Sequence, residues 1–353
     1  MKVLYAGALT PNDTALHRLW ALERLGATVV PFSSRCYESS NVILRKVFFR
    51  LSAGPAVKRL NVDLLQVAAA ERPDVFWADK MLWIKPWTLL KLRAMGIVTV
   101  SYMIDNPFGT RQDPGWRLYR KDIQFYDLHV VQRETNIRDY KSRGARDVIK
   151  IQTAYEPTLH FPPQQEWSDK DRDREVSFIG TPYDDRAKTL TRLWREAGLS
   201  VSVSGGSRVW KRALDAEAFA AVYKGKDEFY GEAYREAIWR SKINLSFLTH
   251  SNQDEFAHKS FEIAGCGGFL LAERSDGHSQ RFVEDKEAVF FSGYEELVEK
   301  IKRYLPDEVG RRRIAAAGRT RAEKDGYDND RQVGLVLERA MELLPGVRAA
   351  AIS

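Results

Sequence analysis

The sequence predicts an α/β protein made of two successive Rossmann-like domains. Three observations carry this. Short apolar runs end in glycine or aspartate, amphipathic helical stretches separate them, and a segment rich in proline and charge divides the alternation in two. The 353 residues suffice for two domains. A composition of 44% hydrophobic and 29% charged residues is that of a globular chain and excludes wholesale disorder.

The first strand is the run from Val3 to Ala6, closed by Gly7 and a polar loop to Asp13. Leu16, Leu19, Trp20, Leu22 and Leu25 then recur at helical spacing, with Asp13 or Thr14 as N-cap and Gly26 as the stop. ATVVPF follows as a buried strand. Residues 74–79, 98–105, DLHVVQ and DVIKIQ continue as strands, with helices over 86–96 and through Tyr140 to Gly144. Residues 1–155 therefore read as the first domain.

Residues 156–174 have no period and are rich in Pro, Gln and charge, which is a linker signal. The second domain, 175–330, alternates again. Its strands are EVSFIG, LSVSVSGG, KINLSFL and GGFLLAE, and its helices lie near 186–198, 230–240 and 259–265. Residues 331–353 read as a C-terminal helix and tail that can pack back on the first domain. Two such units joined by a linker are expected to face each other across a cleft, with ligands outside the strand C-termini.

Lys and Arg total 55 against 48 Asp and Glu, a net charge of +7 that favours an anionic partner. Nucleotide phosphates, a phospholipid surface and nucleic acid all qualify. Cys36 and Cys266 are the only cysteines and suit a reducing compartment. The opening MKVLYAGALTPND reads as a strand and not a signal peptide, and no run is apolar enough to span a membrane. The expectation is a soluble cytoplasmic protein.

Metal and nucleophile motifs are missing. The six histidines form no HExxH, the cysteines no CxxC, and there is no GxSxG. Asp328-Asn329-Asp330 resembles an acidic metal pair but lacks a preceding apolar strand, so a helix cap or surface turn explains it better. No cofactor and no metal are expected. Phosphate-binding elements are more promising, although neither a P-loop nor GxGxxG occurs. Gly7, Gly180 and Gly205-Gly206 each close a strand beside a helix start, where backbone N–H groups favour an anion. Gly180 is the strongest because Arg186 and Lys188 follow one loop later.

The segment KINLSFLTHSNQDEFAHKSFEIAGCGGF is the most informative. It places Glu262 in a small, apolar run, where a buried carboxylate needs a partner. A ribose diol is one such partner and a local cation another. This stretch, followed by FLLAERSDG, GYEELVEKIKRYL and GRRRIAAAGRTR, resembles the C-terminal domain of CgeB-like (spore maturation protein type) glycosyltransferases of the GT-B superfamily. DVFWADK and YMIDNP resemble the family more loosely in the first half. Lys259 stands where the family usually has arginine.

The resemblance implies a GT-B fold and a glycosyltransferase moving a sugar from a UDP- or GDP-type donor to a hydroxyl acceptor. It implies that Glu262 holds the donor ribose, with Gly267 and Gly268 letting backbone approach, and that Lys259, Arg186 and Lys188 neutralise the diphosphate. His258 lines the donor side. Asp254, eight residues before Glu262, stands where a second acid contacts the sugar in retaining relatives, and retention is favoured on that likeness alone. Such enzymes resemble a metal-independent design, in which fixed cations stabilise the leaving diphosphate.

On the acceptor side, Asp105 is a candidate base at the end of a strand, although Asp105-Asn106-Pro107 is also a turn former. Asp13 is a second catalytic candidate. Lys80, Asn106, Arg111 and Trp116 are acceptor-side candidates. The basic stretch from Arg45 to Arg59 reads either as a surface for an anionic membrane or as a helix with a solvated face. The acceptor itself stays open among a glycan, a lipid-linked glycan, a protein and nucleic acid. Two other readings remain: a GT-B sugar-nucleotide epimerase, and a nucleotide- or nucleic-acid-binding protein without catalysis.

Overall fold

The structure, a computed structural model, describes residues 1–38, 41–109, 115–225 and 230–344. Arg111 lies outside the described residues, as do the side chains of Arg45, Lys46, Phe48 and Phe49. The chain forms two compact units, residues 1–152 with 329–353, and residues 153–328.

The first unit begins with β1 (Lys2–Gly7), α1 (Thr14–Arg24), β2 (Thr28–Ser33), α2 (Val42–Leu51), α3 (Pro55–Glu71) and β3 (Val75–Asp79). It continues with α4 (Pro86–Ala94), β4 (Val98–Tyr102), α5 (Trp116–Asp122), β5 (Leu128–Val131), α6 (Glu134–Lys141) and β6 (Val148–Lys150). The six strands pair in parallel in the order β2-β1-β3-β4-β5-β6. Alternation along β1 and β3 feeds two cores. Val3, Tyr5, Val75 and Trp77 pack on Leu19 and Leu22 of α1, while Leu4, Ala6, Phe76 and Ala78 pack on Leu60 and Leu64 of α3. Strands buried on both faces read as continuous apolar runs, which is why they were legible.

The second unit contains β7 (Arg174–Ile179), α7 (Arg186–Arg195), β8 (Val201–Ser204), α8 (Ser207–Ala213), α9 (Ala216–Val222), β9 (Tyr223–Gly225), α10 (Gly231–Trp239) and β10 (Ser241–Ser246). Then come α11 (His258–Gly265), β11 (Leu270–Glu273), α12 (Asp276–Ser279), β12 (Val289–Phe291), α13 (Tyr294–Tyr304) and α14 (Glu308–Lys324). The sheet order is β12-β11-β10-β7-β8-β9, again parallel. Counted from β7 this is the 3-2-1-4-5-6 order of dinucleotide-binding folds, with its switch point between β7 and β10. In the first unit the order reverses between β1 and β3. The last helix, α15 (Asn329–Glu342), belongs to the first unit, where Val333, Val336 and Leu337 join the core that holds α1.

Some boundaries differ from the sequence expectation. Residues 156–174 are not a free linker but part of the second unit. Arg235 and Trp239 of α10 donate to the carbonyls of Leu159 and Phe161, at 3.0 Å each. Irregular backbone held by side-chain donors has no period to read. The strand expected over 98–105 stops at Tyr102, so Asp105 stands beyond the sheet. The three-residue strands β9 and β12 were not foreseen because neither is long enough to show a pattern. Among the described residues no helix is long and apolar enough to cross a membrane.

Candidate active site

In the second unit, Gly180 follows β7 and β10 leads into the loop that carries Thr249, side by side at the switch point. Arg186 ties the two loops together. Its Nη2 donates to the Leu248 carbonyl and to Thr249 Oγ1, both at 2.9 Å, and its Nη1 to the Thr181 carbonyl at 3.2 Å. Burial lowers the guanidinium's affinity for its proton, while Asp184, Asp254 and Glu273 oppose that. Arg186 was expected as a cation offered to an anion. The structure instead directs its Nη groups to the loops that frame the site, and its buried Nε makes no hydrogen bond among the described residues.

Lys259 fills the cationic place. A Cβ built on Gly180 would lie 3.4 Å from Lys259 Cε, so the lysine stem runs past the glycine with no side chain between. Burial lowers the Lys259 pKa, Glu262 works against this, and Arg186 adds to it. Lys259 sits in the first turn of α11, which has no acidic residue there and no side-chain cap on its N-terminus. Helix N–H groups, a positive helix end and an ammonium thus meet beside a glycine loop, a combination suited to phosphate oxygens.

Glu262 lies one turn further into α11 and its side chain is only 8% exposed. Tyr234 donates its hydroxyl to Glu262 Oε2 at 2.5 Å, and His258 Nε2 lies 3.0 Å from Oε1. His160 Nε2 stands 3.7 Å from the same oxygen. The Glu156 N–H donates to His160 Nδ1 at 3.0 Å, which leaves the ring proton on Nε2, facing the carboxylate. Burial alone would raise the Glu262 pKa. His258, His160 and Lys259 outweigh it and hold the carboxyl well below its usual range. Tyr234, His160 and Thr153, which bonds His258 Nδ1, were not singled out from sequence. His160 was hidden in the supposed linker.

The remaining second-unit candidates separate. Asp254 lies in the loop before α11 and accepts from Asn252 Nδ2 at 2.8 Å. Lys188 is exposed on α7. Gly267 and Gly268 do not join the site. Parallel strands and their return helices run in opposite directions, so these glycines, after the C-terminus of α11, sit at the start of β11, the opposite sheet edge from Gly180. A Cβ on Gly268 would meet Ile238 at 2.8 Å, and Gly267 holds φ +67 beside Pro162. They serve a tight turn against the unit's own core. His278 is equally structural: buried, its pKa pushed down to about 4 by desolvation, it donates from Nδ1 to the Glu273 carbonyl and accepts the Ala257 N–H at Nε2.

In the first unit a cavity of about 440 Å³ opens at the C-terminal ends of β1 and β3, the other switch point. Asp13, Lys80 and Trp116 line it, so three expected residues are brought together. Asp105 joins through an ion pair with Lys80, whose backbone adopts φ +51. Gly7 closes β1, where a Cβ would press on Ala15 and Asp79, each at 3.3 Å. It packs the strand end against α1 instead of leaving room for a phosphate. Asn106 is buried, accepting from the Phe108 N–H at 3.0 Å and from Asn136 at 2.9 Å, and does not reach the cavity lining.

Arg18 and Asp79 were missed. Arg18 Nε and Nη2 donate to Asp79 Oδ2 and Oδ1 at 2.6 and 2.9 Å, and Tyr5 donates to Oδ2 at 2.5 Å. The signal was available: Arg18 falls on the same face of α1 as Ala15, Ala21 and Leu22, a charge in a core position. Such a position requires a buried partner. Asp328–Asp330 proves to be a helix start, with Asp330 held by Arg24 of α1 at 2.5 to 3.0 Å. Among the described residues no group of three His, Cys, Asp or Glu side chains is arranged to hold a metal ion.

Residues 186–338 match the glycosyl transferase-like family model. The matched stretch contains Arg186, Lys259 and Glu262. No curated protein matches the sequence. Solved structures match over nearly the whole chain. Sucrose-phosphate synthase from Thermosynechococcus elongatus superposes with TM-score 0.69 at 12% identity, covering 97% of this chain and 98% of that one. The α,α-trehalose-phosphate synthase (UDP-forming) from Burkholderia vietnamiensis gives 0.64 at 13%, covering 97% and 96%. Anabaena HepE in complex with UDP-glucose gives 0.62 at 13%, covering 96% and 100%. The fold is GT-B, and the glycosyltransferase expectation is borne out by the family match.

Proposed function

We propose that this chain is a CgeB-like glycosyltransferase that moves a sugar from a nucleoside diphosphate sugar, UDP-linked in the first instance, to a hydroxyl acceptor. The observation that carries the reading is the meeting of Gly180, Lys259 and the uncapped α11 N-terminus at the β7/β10 switch point. The family match over this region and the UDP and UDP-glucose complexes of HepE support it.

In this reading the bond between the anomeric carbon and the β-phosphate oxygen breaks, and its electron pair stays on the diphosphate. Lys259 and the α11 N–H groups stabilise that charge, so no metal is required. Glu262, held ionised by His258, His160 and Lys259, accepts from the ribose hydroxyls, with Tyr234 and His258 fixing its orientation. Asp254 contacts the transferred sugar. The acceptor oxygen bonds to the anomeric carbon as its proton leaves. Retention, in which the proton departs on the diphosphate and no protein base is used, rests on the place of Asp254 eight residues before Glu262.

Peripheral contact with an anionic membrane is part of the proposal. On α2, Ile43, Leu44, Val47 and Leu51 are exposed and fall within a sector of roughly 100°. Such a stripe normally faces a core. The surrounding sequence supplies Arg45, Lys46, Arg50, Lys58 and Arg59, with no acid from Asn41 to Val62.

The test is release of nucleoside diphosphate from UDP-glucose, UDP-galactose, UDP-N-acetylglucosamine and GDP-mannose by the full chain. Release that Lys259→Met suppresses supports the reading. A protein that consumes none of these donors and binds no nucleoside diphosphate contradicts it.

A further inference from the structure

We infer that the cavity of the first unit takes a neutral carbohydrate as the sugar acceptor, and not a sugar phosphate or another anion. The inference rests on the proposed function, which leaves this cavity for the acceptor, and it deepens that reading by naming the acceptor class.

Charge balance is the first argument. The chain carries +7, yet the cavity does not share the excess. Its charged lining is Arg18, Arg35 and Lys80 against Asp13, Glu38 and Asp79. Every cation already holds an acid. Arg18 grips Asp79 with two bonds, Arg35 reaches Glu38 at 3.0 Å and Asp13 at 3.2 Å, and Lys80 holds Asp105. With Asp105 counted, carboxylates outnumber cations by four to three among the described residues. Among the described residues a phosphate entering here meets no spare positive charge and faces like charges at short range.

The chemistry of the walls is the second argument. A carboxylate has about four acceptor positions, so an ion-paired one still accepts from hydroxyls, while arginine N–H groups donate to hydroxyl oxygens. The same cavity is also lined by Met81, Trp83, Ile104 and Trp116. The face of an indole ring is electron-rich and attracts the positive edge of C–H groups. A pyranose presents hydroxyls around its rim and C–H bonds on its faces, and so matches both kinds of lining at once. The volume of about 440 Å³ suits a small molecule. Lys80, held at φ +51 where the cavity meets β3, is a strained residue of the kind that gathers at binding sites.

The experiment uses the full chain without donor. Saturation-transfer NMR is recorded with glucose, galactose, mannose, N-acetylglucosamine and maltose, and with glucose 6-phosphate and mannose 6-phosphate. UDP binding is followed in parallel by calorimetry. At least one neutral sugar is expected to receive saturation on its ring C–H protons, and its 6-phosphate to bind more weakly. Trp83→Phe and the less buried Glu38→Ala should each weaken that sugar by roughly tenfold, with UDP affinity unchanged. Tighter binding of a 6-phosphate than of its parent overturns the inference, and so does UDP binding with no neutral sugar bound. Failure to bind any nucleoside diphosphate strikes instead at the donor reading, which separates the two.

Discussion

Lys259 passes Gly180 so closely that a Cβ on the glycine would stand 3.4 Å from the lysine Cε and 2.6 Å from Phe178 Cζ. The glycine is therefore required by space and not by backbone angle. Gly180→Val is expected to displace both Phe178 and Lys259 and to weaken nucleotide binding. Calorimetry with UDP and a thermal melt check this together. A variant with wild-type affinity would show that the lysine's course over Gly180 is irrelevant to the ligand.

Glu262→Gln removes a charge that three neighbours stabilise while keeping the size of the side chain. The loss expected at neutral pH is about 1–3 kcal/mol of stability, together with weaker nucleotide binding. The pH dependence has a definite sign. The folded-state pKa lies below the unfolded one, so the carboxylate's contribution is present above the ordinary glutamate range and is lost as pH falls through the depressed value. The gap between wild type and variant should close on acidification below about pH 4 in chemical denaturation.

Gly267 gives the converse experiment. Its φ of +67 disfavours any side chain, and its place at the start of β11 keeps it away from the proposed donor site. Gly267→Ala should cost about 1–3 kcal/mol of stability and leave UDP affinity unchanged. A selective loss of UDP binding with normal stability would restore the glycine to the ligand.

How much of this was legible follows from which signals are local. The longer buried strands announced themselves because a doubly covered strand is an apolar run, whereas β9 and β12 did not, and α11 was read from the small, apolar run around Glu262. Lys259 and Glu262 were visible as charges set in that run. Their partners were not. Tyr234 lies 28 residues before Glu262, and His160 lies in a stretch whose order comes from α10 donors rather than from any periodicity. Gly267 and Gly268 misled for a similar reason: a glycine turn looks the same at either edge of a sheet, and only the direction of α11 tells which edge it occupies.

Asp122 predicts a stability slope of opposite sign. Burial raises its pKa to about 7, with Lys85 and Lys121 pulling against the rise. Between about pH 4 and 7 the folded state then binds more protons than the unfolded state, so stability falls as pH rises, by at most about 1.4 kcal/mol per pH unit for one group. Asp122→Asn should remove this slope and melt higher than wild type at pH 8. A variant that melts lower at pH 8 would contradict the raised value.

The α2 stripe predicts binding to vesicles containing phosphatidylglycerol and little binding to pure phosphatidylcholine. Replacing Ile43 and Leu51 together with aspartate should abolish sedimentation with the anionic vesicles without lowering the melting temperature, because both side chains are exposed. Unchanged sedimentation of the variant would remove the stripe from consideration.

Calorimetry of UDP, GDP, CDP and dTDP against wild type and Lys259→Met tests the donor site most directly. One diphosphate is expected to bind the wild type, and the variant to bind it roughly 10- to 100-fold more weakly, the range for loss of a charged hydrogen bond. Binding of none of the four, or equal binding by both proteins, contradicts a donor site built on Gly180, Lys259 and the α11 N-terminus.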